Sequence, residues 1–100
     1  MVRMDAKARK ALSIIRRCVA SRRYRLSPHF TQRMDQRVIF WPEVLAVLDE
    51  PTDVRPGGPE RYGRPKWIIA GKAASGEPMK LVCVLDRDEH GDVTVFITIY

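Results

Sequence analysis

The spacing of apolar residues changes partway along this chain, and that change limits the folds open to it. Up to Leu48 they recur every three or four positions; from Trp67 onward they fall into β-branched runs. A period near 3.6 specifies helices with one buried stripe, whereas short β-branched runs specify strands, so helices come first and strands second. Ala8, Ala11, Leu12, Ile15 and Val19 mark a first helix over about Asp5 to Arg23, flanked by Lys7, Arg9, Lys10, Arg16, Arg17 and Arg23. This Arg-rich stretch shares features with a mitochondrial presequence, yet reads better as a helix of the domain. Tyr24-Arg25-Leu26 is a short connection. Ser27-Pro28 starts a second helix, because Ser accepts from first-turn amides and Pro sits where no amide partner is needed. It runs to about Arg37 with Phe30 and Met34 on its buried face. Pro42 starts a third, with Val44, Leu45 and Leu48 inward, and Pro51 stops it.

Between Pro51 and Pro65 lie four of the seven prolines and three of the six glycines, a turn-rich stretch with one strand near Asp53 to Arg55. Lys66 to Ala70, Lys80 to Leu85 and Val93 to Tyr100 then read as an antiparallel meander. In the last run Val93, Val95, Ile97 and Ile99 alternate with Thr94, Phe96, Thr98 and Tyr100, giving an aliphatic face for the helices and a mixed face for a site. The expected fold is α+β: N-terminal helices packed on a curved antiparallel sheet of about four strands. With 100 residues and 11.5 kDa the chain closes one core, so one domain over residues 1–100 is expected. A last strand at the sheet edge would invite pairing with a second copy, and a homodimer is one expected assembly.

Charge narrows the partners. Eighteen Lys and Arg against 12 Asp and Glu leave +6, which favours nucleic acid, anionic lipid or an acidic protein. Cys18 and Cys83 stand far apart and in no metal-ligand spacing, which argues for a reducing compartment and against zinc; no cofactor or metal is expected. No apolar run approaches the roughly 18 residues of a membrane span, and Met1 to Lys10 holds no hydrophobic signal core, so no membrane partner and a cytoplasmic location are expected.

The most informative segment is Ser27 to Arg37. A helix places His29, Arg33 and Arg37 on successive turns, a ridge of three phosphate ligands. Cleaving RNA without a metal needs a base for the ribose 2′-hydroxyl, cations for charge developing on phosphate, and an acid for the leaving oxygen. His29 transfers protons near neutrality, and Arg33 and Arg37 bind and stabilise. The same spacing also suits a solvated helix face on which His29 caps or packs and Arg33 pairs with Asp35 or Glu43. A second cluster, Arg61-Tyr62-Gly63-Arg64-Pro65-Lys66-Trp67, interleaves cations with rings as single-stranded nucleic acid favours, with Arg61, Arg64 and Lys66 as RNA-binding candidates. It also fits an exposed basic loop entering a strand with Trp67 in the core. Thr98 and Tyr100 offer hydroxyls that assist proton transfer or orient phosphate, although a terminal Tyr also packs over sheet edges. His90 lies in a turn and is given no catalytic role.

The run S-x-H-x-x-x-R-M-x-x-R from Ser27 to Arg37, the helix from Pro42 to Pro51, the Gly63-Arg64 turn before a strand and the closing Ile97-Thr98-Ile99-Tyr100 resemble a family of short bacterial proteins described as a domain of unknown function. That family is similar to the BrnT and RelE/ParE groups of toxin-antitoxin toxins. The resemblance covers about residues 26 to 100, with the first helix either a variable extension or the family's usual leading helix. It implies a RelE/barnase-like fold, metal-independent RNA cleavage and an acidic antitoxin partner. His29, Arg33, Arg37 and Thr98 fall on the family's pattern; Arg64, Lys66 and Tyr100 join them on spatial grounds. The catalytic residues of ribosome-dependent RelE toxins have no residue-by-residue match here.

Three functions follow as expectations: a toxin-like metal-independent ribonuclease, a non-enzymatic basic module for nucleic acid or an acidic protein, and a structural domain that dimerises.

Overall fold

Three helices and five strands make up residues 4–100 of the computed structural model, which describes all but Met1 to Arg3 of the opening stretch read above. Helix α1 spans Ala6–Ala20. Asp5 caps it by accepting from the Ala8 amide at 2.7 Å, and its buried stripe is Ala8, Ala11, Leu12, Ile15 and Cys18. It stops three residues short of the expected Arg23. Arg22 takes a left-handed φ of 60° and the Arg23 amide turns back to the Cys18 carbonyl at 2.7 Å, which closes the helix end.

Tyr24–Leu26, expected as a connection, is strand β1 and pairs in parallel with a strand about seventy residues on. Ser27 then begins α2, Pro28–Arg37: its Oγ accepts from the Phe30 amide at 3.0 Å and donates to the Ile97 carbonyl at 2.7 Å. Helix α3, Trp41–Asp49, buries Val44, Val47 and Leu48. Strands β2 (Pro51–Pro59), β3 (Pro65–Lys72), β4 (Pro78–Asp88) and β5 (Gly91–Ile99) complete one sheet in the order β1-β5-β4-β3-β2.

The architecture is therefore α+β, as expected, with two corrections to the sheet. It has five strands in place of about four, and it is mixed: β1 runs parallel to β5, and the other pairs are antiparallel. The proline-rich stretch forms the long strand β2 because β2 lies at an edge, where a missing amide costs no second ladder, and two register shifts absorb its irregularity. Nor is the last strand an edge. β5 lies between β1 and β4, so it offers no free ladder to a second copy.

A bulge corrects the face assignment as well. Val82 pairs with Thr98 and Cys83 with Phe96, leaving Ile97 unmatched on β5. Phe96 and Ile99 consequently both point to the helices, while Val93, Val95 and Thr98 lie on the opposite face with Val82 and Val84, to which β4 registers them directly or through adjacent pairs. The helix-side core closes around Phe96, whose ring centroid lies 5.4 Å from Phe30, 5.7 Å from Trp41 and 6.2 Å from Tyr24. Gly71 lets α3 approach the sheet: a Cβ there would stand 3.2 Å from the Val47 methyl Cγ1.

Ser27→Ala removes a helix cap and a tie to β5 together, and we expect it to lower stability by about 1–2 kcal/mol. Urea denaturation checks this as a lower midpoint at unchanged slope; an unchanged midpoint refutes it.

Candidate nucleic-acid interface

The buried residues of all three helices join one core with Trp67, Ile69, Leu81, Cys83, Phe96 and Ile99, so among the described residues no helix adds a second layer over the side chains on the other face of the sheet. Register places them in rows. Arg25, Val95, Val84 and Lys66 form one row, and Thr98, Val82, Ile68 and Arg55 form the next. Lys80 and Ala70 follow beside Tyr100, whose amide and carbonyl exchange bonds of 2.8 and 3.0 Å with Lys80. The middle of this face is apolar: Val84 is fully buried and Val82 nearly so, although no helix covers them. The stem of Lys66 lies across Gly57, where a Cβ would stand 3.2 Å from its Cε.

Charges on this face divide into paired and unpaired. Arg55 is bound to Asp53 at 2.8 Å. Lys66, Lys72 and Lys80 have no carboxylate partner among the described residues. Sequence patterning could not single out Lys80 or Arg25, because only the strand register brings β1 and β4 to the same face.

The ridge on α2 is real as a helix flank, and its three members have different fates. Arg37 reaches Glu77 at 3.3 Å, in the turn that leads into β4, so the flank faces the end of the sheet where β4 begins and β5 finishes. Arg33, one turn back, is half-buried; its Nε is shielded from solvent and has no hydrogen-bond partner among the described residues. It pairs with neither Asp35 nor Glu43, whose carboxylate instead accepts from the Phe40 amide. His29 is exposed and has no salt bridge among the described residues. Thr98, at the same end of β5, is 5% exposed, with its hydroxyl likewise unpartnered. Leaving such groups unsatisfied costs about 1–3 kcal/mol each, which sets Arg33 and Thr98 apart from the surrounding surface. Tyr100 is exposed. The surface hollows of 590, 440 and 410 Å³ draw no wall from His29, Arg33, Arg37 or Thr98.

Arg64 belongs to a different cluster. Its Nε and Nη2 donate to Glu60 at 2.9 and 3.1 Å, and its Nη1 donates to Asp86 at 2.7 Å. Glu60 also accepts from the amides of Tyr62 and Arg64, so one carboxylate holds the whole turn between β2 and β3. The Arg64 guanidinium holds the Glu60 carboxyl down at about 2. Asp86 is lowered first by the Arg87 amide and then by Arg64. The structure thus separates Arg64 from the α2 ridge. Asp86 lies six residues along β4 from Lys80 and Tyr100, roughly 20 Å at a strand rise of about 3.3 Å per residue. Arg61 stays exposed beside Tyr62, whose ring lies 5.6 Å from the Arg61 guanidinium carbon and 5.4 Å from that of Arg64. Trp67 is in the core.

Neither cysteine offers chemistry at the surface. Both are buried, and burial pushes the Cys83 thiol up to about 12. Among the described residues no three His, Cys, Asp or Glu side chains cluster, and no helix is long and apolar enough to cross a membrane.

The fold and this face define a small α+β domain with helices on one side of a mixed sheet and a basic, partly apolar surface on the other. A model of the family described as a domain of unknown function, DUF4258, matches residues 26–100. The chain belongs to that family. Helix α1 and most of β1 precede the matched part. No curated protein and no solved structure matches the chain.

The Glu60 carboxylate stabilises the fold at and above its ordinary value of 4.5, and that contribution disappears as pH falls toward about 2. We expect Glu60→Gln to lower the urea midpoint at pH 6 and to match wild type near pH 2. A gap that stays constant across that range refutes the clamp.

Proposed function

We propose that this protein is an RNA-binding domain of the toxin type, holding RNA across the open face of its sheet. The observation that carries the reading is the Arg33 guanidinium, without a carboxylate partner among the described residues, on the α2 flank that faces the end of the sheet where β5 finishes with Thr98 and Tyr100. A phosphate oxygen satisfies a buried guanidinium donor and a hydroxyl with the same chemistry. Lys66 and Arg61 extend the track toward the β2–β3 turn. Arg64, whose donors face two carboxylates, supports the turn that presents Tyr62 and is not counted among the RNA ligands.

Metal-independent cleavage is the second reading, favoured by His29 standing on the same helix flank as Arg33. In that reaction a base takes the 2′-hydroxyl proton, the 2′-oxygen attacks phosphorus, and the 5′-oxygen leaves with a proton from an acid. His29 is the proton-transfer group, taking the 2′-hydroxyl proton and returning it to the leaving 5′-oxygen. Arg33 and Arg37 stabilise the charge that grows on phosphate, with Thr98 and Tyr100 orienting it. The likeness to BrnT and RelE/ParE toxins drawn from the Ser27 to Arg37 motif, and a RelE/barnase-like arrangement of helices on one sheet face, support both readings. An acidic antitoxin-like protein is the corresponding partner, and a reducing cytoplasm the corresponding setting.

Arg33→Ala is expected to weaken binding of a short single-stranded RNA by about tenfold and to lower the salt slope by about one. His29→Ala should leave binding unchanged and abolish scission in EDTA. Salt-steep binding without scission by the wild type would discard the cleavage reading and keep the binding one; RNA binding indifferent to Arg33 would discard both.

A further inference from the structure

A second surface, along the edge of the sheet that adjoins the open face, has its own unexplained features. Strand β1 is an edge. The Arg23 carbonyl and the Ser27 amide bond to β5 at 3.1 and 2.9 Å, so alternation turns the amides and carbonyls of Tyr24 and Leu26 outward. None of these four groups has a protein partner among the described residues. Hollows of 440 and 410 Å³ lie along the helix side of this edge and share Trp41 as a wall. Tyr24 and Leu45 line the first; Leu26, Met34 and Phe40 line the second.

Two residues at the second hollow break the local rules of helix ends. Val38, 69% exposed, terminates α2 in the left-handed conformation at φ 53°, where Gly or Asn is the usual occupant and a β-branched side chain is strained. Phe40, 66% exposed, stands at the N-cap of α3, where Ser, Asp or Asn would bond a first-turn amide and Phe cannot. Neither residue gains burial in exchange. Adjacent violations of this kind mark a surface kept for something other than stability.

Charge says what that surface fits. Between Ala6 and Met34 the chain holds nine Lys and Arg and not one Asp or Glu. Of these nine, only Arg23 has a carboxylate partner among the described residues, Asp88. Arg16 and Arg22 line the first hollow, and Arg25 projects from β1 itself. Arg16 is held by the Leu48 and Asp49 carbonyls at 2.8 Å each, which leaves its charge uncompensated. Among the described residues Asp49 is the only carboxylate that lines the first hollow and Asp35 the only one that lines the second.

We propose that the outer edge of β1 receives an extended, acidic segment of a partner protein as a sixth strand. Its backbone pairs with Tyr24 and Leu26, alternate apolar side chains enter the hollows beside Trp41, and its carboxylates meet Arg22 and Arg25. RNA does not supply the backbone donors and acceptors that this edge leaves open. A second copy would set Arg22 and Arg25 against their own counterparts, a like-charge arrangement. Arg25 also stands on the RNA face, whereas Tyr24, Leu26 and the hollows belong to the helix side of the edge, so the proposal is tested on those groups and stands or falls independently of RNA binding.

The probe is a fluorescein-labelled peptide of about ten residues alternating Val or Ile with Glu or Asp, with a Lys-for-acid control and a copy N-methylated at alternate amides. Anisotropy should show the acidic peptide binding at least about tenfold tighter than either control. Hydrogen exchange at the Tyr24 and Leu26 amides should slow in its presence. Val38→Asn and Phe40→Ser should each raise the melting temperature of the protein and still weaken the peptide, which excludes misfolding as the cause. The proposal is overturned if the acidic peptide does not bind, if the Lys peptide binds equally well, or if the two amides exchange unchanged. Self-association that Phe40→Ser abolishes would assign the edge to a second copy and overturn it too.

Discussion

One serine joins the parts of this fold that sequence separates most. Ser27 ends β1, and its amide bonds the Phe96 carbonyl. Its hydroxyl accepts from Phe30 to start α2 and donates to the Ile97 carbonyl at the β5 bulge. Three constraints on one residue set where α2 lies against β5, and Phe30 therefore meets Phe96. The basic flank of α2 and the β5 end bearing Thr98 and Tyr100 inherit their placement from that junction. The bulge matters equally: without Ile97 left over, Phe96 and Ile99 would sit on opposite faces and the core would lose one of them.

Charge is segregated along the chain, and the fold keeps it so. Carboxylates of the second half are largely consumed internally, Glu60 and Asp86 by Arg64 and Asp53 by Arg55. The cations of α1 and β1 find almost no such partners, so the net positive charge is concentrated on surface contributed by the N-terminal part of the chain. A field of one sign over part of a small domain attracts anionic partners at long range, and local geometry then decides which partner docks where. An open β face with lysines suits a polyanion. A bare strand edge beside apolar hollows suits a peptide.

Local signals carried a large part of the architecture. All three helices, with the Ser27-Pro28 start and the Pro42 restart, and the three C-terminal strands were legible because each has a period or a cap written within a dozen residues. Strand β1 was not, because three residues hold no period and its partner lies about seventy positions away. Of β2 only the part near Asp53 to Arg55 was, since its prolines spell a loop over the rest unless the strand is known to be an edge. The ridge of His29, Arg33 and Arg37 followed from helical spacing alone. That Arg37 is tied to Glu77, that Arg33 has a buried donor without a partner, and that Arg64 serves as a clamp did not, since each depends on a residue from another element.

Sequence by itself therefore determined the identity and order of the strong elements, the sign of the surface charge and the candidate ridge, because periodicity, capping and net charge are local or additive properties. Tertiary structure alone decided which face stays open, that β5 is interior, which cations remain unpaired and which strand edge is left bare. Those are outcomes of register and packing, and a single unmatched residue such as Ile97 redirects every side chain after it.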